Sequence, residues 1–354
     1  MKPWREELLE VLEKSGEQYV KGEELAEKFG FTRSALWKKI SVLRSEGHPI
    51  EAITNRGYRM ASRDREFEQE IREELQKNHI DDVFAVSVTD TTPSTNLLAR
   101  AAGAREAGLQ EAGFQEAGTR FPVLRETGHG EDKKIGVFIA LQQSAGRGRR
   151  GRTWISNTQD GLWFSILLRP EVEPRTASTL TLLFGLCILK AIQSICSIPA
   201  GIKWPNDIIS LQNGKKLCGI LSETSMEDNS ISYAVVGCGI NVSQKTFPEE
   251  IQSVATSLLM EGAKTARNSL LAAVLREVAE RYPEFQKDPL GFLPEYRANC
   301  ATLGRSVRIE SGTYDEGTAQ DITDAGDLLV RRHDGTTITC TSGEVSVRGM
   351  LGYM

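Results

Sequence analysis

Residues 146–152 consist only of glycine and arginine: Gly146, Arg147, Gly148, Arg149, Arg150, Gly151 and Arg152, within Gln142-Gln-Ser-Ala-Gly-Arg-Gly-Arg-Arg-Gly-Arg-Thr-Trp154. Glycine lets a main chain approach a ligand closely. Arginine offers a planar fork of donors that matches carboxylate and phosphate. The segment follows an apolar run, Ile135 to Leu141, that reads as a buried strand. It is therefore placed as a loop at a strand end, able to close over an anion. Taken alone, a solvated basic loop or a nucleic-acid patch explains it equally well.

Four other stretches bear on that choice. Pro93-Ser-Thr-Asn96 lies upstream. Lys203-Trp-Pro-Asn-Asp207, Lys216-Leu-Cys-Gly-Ile-Leu-Ser-Glu223 and Val235-Val-Gly-Cys-Gly-Ile-Asn-Val242 follow in order. Read singly, each has an ordinary explanation. Ser94 and Thr95 could simply cap a helix. Trp204 and Pro205 read as core and turn, Lys216 as a turn lysine, and the glycines as packing sites. As an ordered set they resemble the biotin protein ligase family, in its bifunctional form that also represses the biotin operon. The resemblance covers nearly the whole chain except one insertion.

The resemblance implies a class II synthetase-like domain. ATP and Mg2+ would activate biotin there as biotinyl-5'-AMP, before transfer to a lysine of a carboxylase carrier domain. It assigns Ser94, Thr95 and Asn96 to the biotin ureido ring and Gln143 to the biotin site. Gly146, Arg147, Gly148 and Arg149 belong to the loop that folds over the adenylate. Lys216 meets the carboxylate and α-phosphate, and Arg149, Lys203 and Lys216 carry the catalysis. Asn206 and Asp207 help to hold magnesium, Gly219, Gly237 and Gly239 line the biotin pocket, and Asn241 touches the adenylate. Both chemical steps concentrate negative charge, so fixed cations are what they need. Two rivals remain: a lipoate or octanoate ligase of the same fold, and a biotin-sensing regulator with a dead ligase site. Arg147, Arg149, Lys203 and Lys216 argue against the second.

The elements that must position these residues can be read along the chain. Residues 1–62 read as a winged helix-turn-helix. Trp4, Leu8, Val11 and Leu12 share one face of a first helix, and Leu25, Ala26 and Phe29 are the inward residues of a second that Gly30 stops. Thr32 caps a third, with Leu36, Ile40 and Leu43 inward and Gly47 at its end. Thr54-Asn-Arg-Gly57 joins the two strands of the wing. Residues 1–31 carry five Lys/Arg against eight Glu; residues 32–59 carry six against two, a net +4. That basic half suits a recognition helix and wing, with Arg33, Ser34, Lys38, Lys39 and Arg56 facing operator DNA. A three-helix dimerisation module is the alternative.

Residues 63–80 read as a linker helix with Phe67, Ile71 and Leu75 in register. Residues 81–300 read as the α+β ligase domain, with a mixed sheet and intervening helices. Within it, residues 101–134 hold a five-residue repeat, Glu106-Ala-Gly-Leu-Gln, Glu111-Ala-Gly-Phe-Gln and Glu116-Ala-Gly-Thr-Arg. A period of five matches neither helix nor strand, so this reads as a flexible surface insertion. Residues 301–354 turn to short β runs, an SH3-like barrel by the resemblance, with Ser342-Gly-Glu-Val-Ser346 similar to the family's C-terminal signature.

The bulk numbers agree. The 354 residues suggest two or three domains, and 40% hydrophobic content is that of a globular chain. A net charge of −5 leaves nucleic-acid binding to a local patch. No signal core opens the chain, and the apolar run Leu180 to Ile192 is too short and broken to span a membrane. Six scattered cysteines without a CxxC pair read as reduced core residues of a cytoplasmic protein. The adenylate also suits a signal for homodimerisation on a palindromic operator.

Overall fold

A computed structural model of the chain describes residues 4–15, 18–45, 48, 50–54, 56–60, 63–108, 134–310, 314–341 and 346–349. The chain divides into two compact units, Met1–Gln69 and Glu70–Met354.

The first unit holds α1 (Trp4–Lys14), α2 (Gly22–Phe29), α3 (Arg33–Ser45), β1 (Ile50–Ile53) and β2 (Gly57–Met60). Leu8, Leu12, Leu25, Leu36, Ile40, Leu43 and Ile50 form its core, with Trp4, Val11 and Phe29 packed on the edge. Gly30 stops α2 in the left-handed region. Thr32 caps α3, its Oγ1 accepting from the Ala35 amide at 3.2 Å. Gly47 and Asn55 lie outside the described residues. β1 and β2 pair antiparallel as the wing. Val20 bonds Tyr58 in both directions, at 2.8 and 2.9 Å. That approach needs a glycine at 57, where a Cβ would stand 2.1 Å from the Val20 carbonyl. Thr32→Ala should cost about 0.5–2 kcal/mol locally. Hydrogen exchange in the full chain should show this as lost protection across α3, with that of the second unit unchanged.

The second unit takes up the chain within α4 (Arg63–Lys77), whose Phe67, Ile71 and Leu75 are buried. Next come β3 (Phe84–Thr92), α5 (Thr95–Glu106), β4 (Ile135–Gln143), β5 (Gly161–Leu168), α6 (Leu180–Cys196), β6 (Ala200–Lys203), β7 (Asp207–Ser210), β8 (Lys216–Glu227) and β9 (Ser230–Asn241). The strands form one seven-stranded mixed sheet in the order β3-β4-β5-β9-β8-β7-β6, with only β3 and β4 parallel. α7 (Arg267–Lys287) and α8 (Leu293–Ala298) follow. β10 (Ser306–Glu310), β11 (Tyr314–Ile322), β12 (Leu328–Arg332), β13 (Thr337–Cys340) and β14 (Ser346–Gly349) then make a small antiparallel sheet in the order β13-β12-β11-β10-β14. Residues 342–345 of the C-terminal signature lie outside the described residues.

Two helices divide the faces of the large sheet. α5 lies on one, where Leu98, Ala99 and Ala104 pack with Phe138, Leu167, Tyr233 and Val235. α6 covers the other, with Gly185 against Ile202 and Ile220. α6 is apolar nearly all round because it is buried between the sheet and α7. With the turn before it, Pro174–Cys196 is the one segment among the described residues long and apolar enough to cross a membrane, and it is mostly buried in this core. Trp204 is core, as its surroundings alone suggested. Its Nε1 donates to the Gly326 carbonyl at 3.0 Å, tying the sheet to the β12 hairpin.

The insertion begins later than residue 101. Ala101 to Glu106 are the closing turns of α5, with Gly103 and Ala104 buried and Glu106 paired to Arg169. Their neighbours on the sheet keep the helix going despite Gly103. Residues 109–133, most of the repeat, lie outside the described residues.

Candidate functional site

A cleft opens on the α5 face of the large sheet, beyond the N-terminus of that helix. Its floor follows from strand parity. Side chains of alternate β9 residues share a face, so Tyr233 and Val235 beneath α5 are followed on the same face by Gly237 and Gly239. Gly219 of β8 stands opposite Gly239. Three absent side chains therefore leave a slot beside the helix. Asn96 stands over Gly237, where a Cβ would be 1.9 Å from its Oδ1. The Trp154 indole lies over Gly239 and Gly219, where added Cβ atoms would be 2.4 and 2.9 Å away. Cys238, between the two β9 glycines, turns to the other face.

One end of the cleft is lined by uncharged donors and acceptors, with the Glu223 carboxylate behind them paired to arginines. Gln143 Oε1 accepts from the Thr95 amide at 2.8 Å and from Thr95 Oγ1 at 3.3 Å; its Nε2 donates to Ser156 Oγ at 3.0 Å. Ser165 Oγ lies 2.7 Å from Thr95 Oγ1 and 2.6 Å from Asn96 Oδ1. Asn96 Nδ2 donates to Glu223 Oε2 at 2.7 Å. Ser94, Thr95, Asn96 and Gln143 are all buried here, and all line the cleft.

The other end is cationic. Lys216 opens β8 at a register shift against β7. Its backbone is held on both sides, by Val254 at 2.8 Å and Thr256 at 3.0 Å. Its Nζ sits 2.6 Å from Asp207 Oδ1 and 5.0 Å from the centre of the Trp154 ring. The Asp207 contact is an ion pair without hydrogen-bond geometry. Arg149 donates to Asn206 Oδ1 at 2.8 Å. Burial pulls the Arg149 guanidinium below its ordinary value, against the opposing pull of the Asp207 carboxylate. Asn206 Nδ2 donates to the Ile220 carbonyl at 3.0 Å, which aims its oxygen at the cleft.

The structure thus brings together Ser94, Thr95, Asn96, Gln143, Arg147, Gly148, Arg149, Asn206, Lys216, Gly219, Gly237 and Gly239. Four expected residues stand differently, among them Asp207, which meets the cleft through its ion pair with Lys216. Lys203 lies opposite Asp207 in the β6–β7 hairpin, buried, and is not part of the cleft wall. Asn241 spends its amide on the Thr256 carbonyl at 3.0 Å and the Lys216 carbonyl at 3.4 Å, bracing the strand ends behind Lys216. Gly146 is a packing glycine: a Cβ there would be 2.3 Å from the Trp154 carbonyl. Trp154, Ser165 and Glu223 were not expected. Asn206 and Asp207 offer adjacent oxygen donors, and no larger cluster of metal-binding side chains occurs among the described residues. All six cysteines are buried, and burial pushes the thiols of Cys187, Cys218 and Cys238 up, away from the reactive thiolate.

In the first unit, Arg33, Ser34, Lys38 and Arg56 are exposed. Arg33 is paired with Glu23. Lys39 turns inward, its Nζ 3.7 Å from the centre of the Trp4 ring and 4.7 Å from that of Phe31, so it braces α3. Trp37, 61% exposed on the outer face of α3, was not anticipated.

Residues 120–241 match the Biotin/lipoate A/B protein ligase family, residues 5–59 an HTH domain, and residues 302–348 the Biotin protein ligase C terminal domain. The bifunctional ligase/repressor BirA of Bacillus spizizenii is 31% identical over 342 residues, covering 94% of this chain and 95% of that protein. This chain belongs to the biotin protein ligase family. It has the three-part layout of the bifunctional members, and the BirA of Escherichia coli is 28% identical over 94% of each chain. A biotin–[acetyl-CoA-carboxylase] ligase of Mycobacterium tuberculosis is 34% identical over 64% of this chain and 84% of its own. Among solved structures, the Aquifex aeolicus biotin protein ligase in complex with biotin and ATP superposes with a TM-score of 0.57. It has 28% identity, covering 75% of this chain and 98% of that one.

Proposed function

We propose that this ligase joins biotin to AMP from ATP and passes the biotinyl group to a lysine of a carboxylase carrier domain, such as that of acetyl-CoA carboxylase. The observation that carries this is the polarity of the cleft. A glycine-floored slot runs between a neutral hydrogen-bonding end and a cationic end. Biotin has a neutral ureido ring that needs donors and acceptors, a flat body, and an anionic tail. A lipoyl head offers no such hydrogen bonds and would leave Thr95, Asn96 and Gln143 poorly matched.

In the first step the biotin carboxylate attacks the α-phosphate and pyrophosphate leaves. Lys216 and Arg149 offset the charge that gathers there. Arg149 and Lys216 pair with Asn206 and Asp207 here; turned to the phosphate, they would leave these two oxygens to hold the magnesium that arrives with ATP, where it would neutralise phosphate charge. In the second step a carrier lysine attacks the acyl carbon and AMP leaves. Trp154 and residues 146–152 cover the slot and keep water from the anhydride. Incubation with magnesium-ATP and either biotin or lipoate, followed by mass analysis, tests the assignment. Biotinyl-adenylate alone should accumulate; lipoyl-adenylate alone would reverse it.

The same reading assigns residues 1–62 to DNA, 63–80 to a connecting helix, 81–300 to the ligase and 301–354 to the C-terminal domain. The exposed Ser34, Lys38 and Arg56 support binding to operator DNA, strengthened when biotinyl-adenylate favours a homodimer. The six scattered, buried cysteines fit a reducing cytoplasm. Lys38→Ala should reduce the slope of log affinity against log salt by about 1 per bound copy, since one phosphate contact is lost. An unchanged slope would take Lys38 off the DNA.

A further inference from the structure

The two alternate arginines of the loop reach opposite ends of the cleft. Arg149 goes to Asn206, beside Asp207 and Lys216. Arg147 goes to Glu223, NH1 to Oε1 at 3.2 Å. The same carboxylate faces Arg100 NH1 at 3.5 Å and takes the Asn96 amide on its other oxygen at 2.7 Å. A carboxylate near a site for anionic ligands is repulsive unless it stands apart from them and is neutralised. Glu223 meets both conditions, at the neutral end and between two guanidinium groups.

Its second contact fixes an orientation. A carboxylate accepts, so Asn96 must present Nδ2 to it and to the Leu221 carbonyl at 3.3 Å. Asn96 Oδ1 is then directed at Ser165 and the floor over Gly237. One side chain therefore sets a residue at the neutral end of the slot and holds one point of the loop above it.

We propose that Glu223 is a positioning residue that clasps the Gly-Arg loop shut over the biotin end through Arg147, leaving Arg149 and Lys216 to serve the anionic group. This rests on the ligase reading. A partly exposed ion pair of this kind corresponds to up to roughly a fivefold change in a binding constant. Glu223→Gln keeps an acceptor for Asn96 and removes the charge that holds Arg147. It should speed biotin release by about three- to fivefold and raise the biotin KM in step, with a smaller effect on the rate of adenylate formation at saturating biotin and ATP. Glu223→Ala removes the Asn96 acceptor as well and should raise the biotin KM further.

The test is a double-mutant cycle in the full chain, read by stopped-flow biotin release and by single-turnover adenylate formation. Glu223→Gln and Arg147→Gln should each speed release, and the double variant should be no faster than either. Glu223→Gln with Arg149→Gln should be additive. Either single variant reports on the same contact, so a misfolded Glu223 variant leaves Arg147→Gln to decide. Additive effects of Glu223→Gln and Arg147→Gln, or a fall in turnover with unchanged biotin release, overturn the clasp. Parent protein that binds no biotin defeats the ligase reading, and the clasp with it; parent that forms the adenylate beside uncoupled variants defeats the clasp alone.

Discussion

Lys216→Ala lowers biotinyl-adenylate formation by about 10²- to 10³-fold, the usual loss when one preorganised charge partner is removed from a transition state. The magnitude follows from how the ammonium is held. The β8 register shift, the backbone bonds to residues 254 and 256, the Asp207 carboxylate and the Trp154 face leave it little freedom to lose when substrate arrives. Biotin affinity should change far less, because the ureido end is untouched. Single-turnover formation of the adenylate at saturating biotin and ATP measures the effect. Thermal unfolding separates any loss of stability from stranding the buried Asp207 from the loss of rate. A Lys216→Ala protein within a few fold of the parent would remove this lysine from the chemistry.

Gly239→Val should abolish measurable biotin binding at micromolar ligand while leaving the fold in place. Valine suits a strand, and the residue it meets is a loop tryptophan rather than the backbone of the sheet. Even the first added carbon stands 2.4 Å from Trp154 Nε1. The indole must leave, and two further methyl groups then occupy the slot. Titration calorimetry against biotin, with thermal unfolding as the fold control, decides the matter. Retained tight binding would show that biotin does not lie on this floor.

Much of this site was legible only through the family resemblance. Read singly, Gly219, Gly237 and Gly239 looked like packing sites, and their shared face follows from strand parity once the register of β8 on β9 is known. The helix-turn-helix was legible from the residues themselves: Leu36, Ile40 and Leu43 keep helical spacing, and Thr32 precedes them. Glu223 was not, because its partners lie 127, 123 and 76 residues away in sequence, at Asn96, Arg100 and Arg147. Ser165 was hidden inside a wholly buried strand, where an isolated serine reads as filler. Lys203 and Asn241 were misplaced because a motif gives the strand but not which side chains reach the cleft wall. Lys39 was misjudged because α3 needs an edge residue against Trp4 and Phe31, and its stem and ammonium fill that place. The end of α5 was drawn too early because Gly103 lowers helix propensity, whereas burial against Leu167 and Tyr233 outweighs it.

The glycine floor bears on how readily this protein could escape an inhibitor. Resistance commonly arises when a pocket gains bulk that a drug cannot tolerate and the natural ligand can. Here the surface under the ligand is made by leaving atoms out, and Asn96 and Trp154 already stand within van der Waals distance of the gaps. Any enlargement at 219, 237 or 239 displaces those two residues before it reaches a drug. A compound that packs on Asn96 and Trp154 above the three glycines, and draws little of its affinity from the loop arginines, would leave the protein few viable substitutions beneath it.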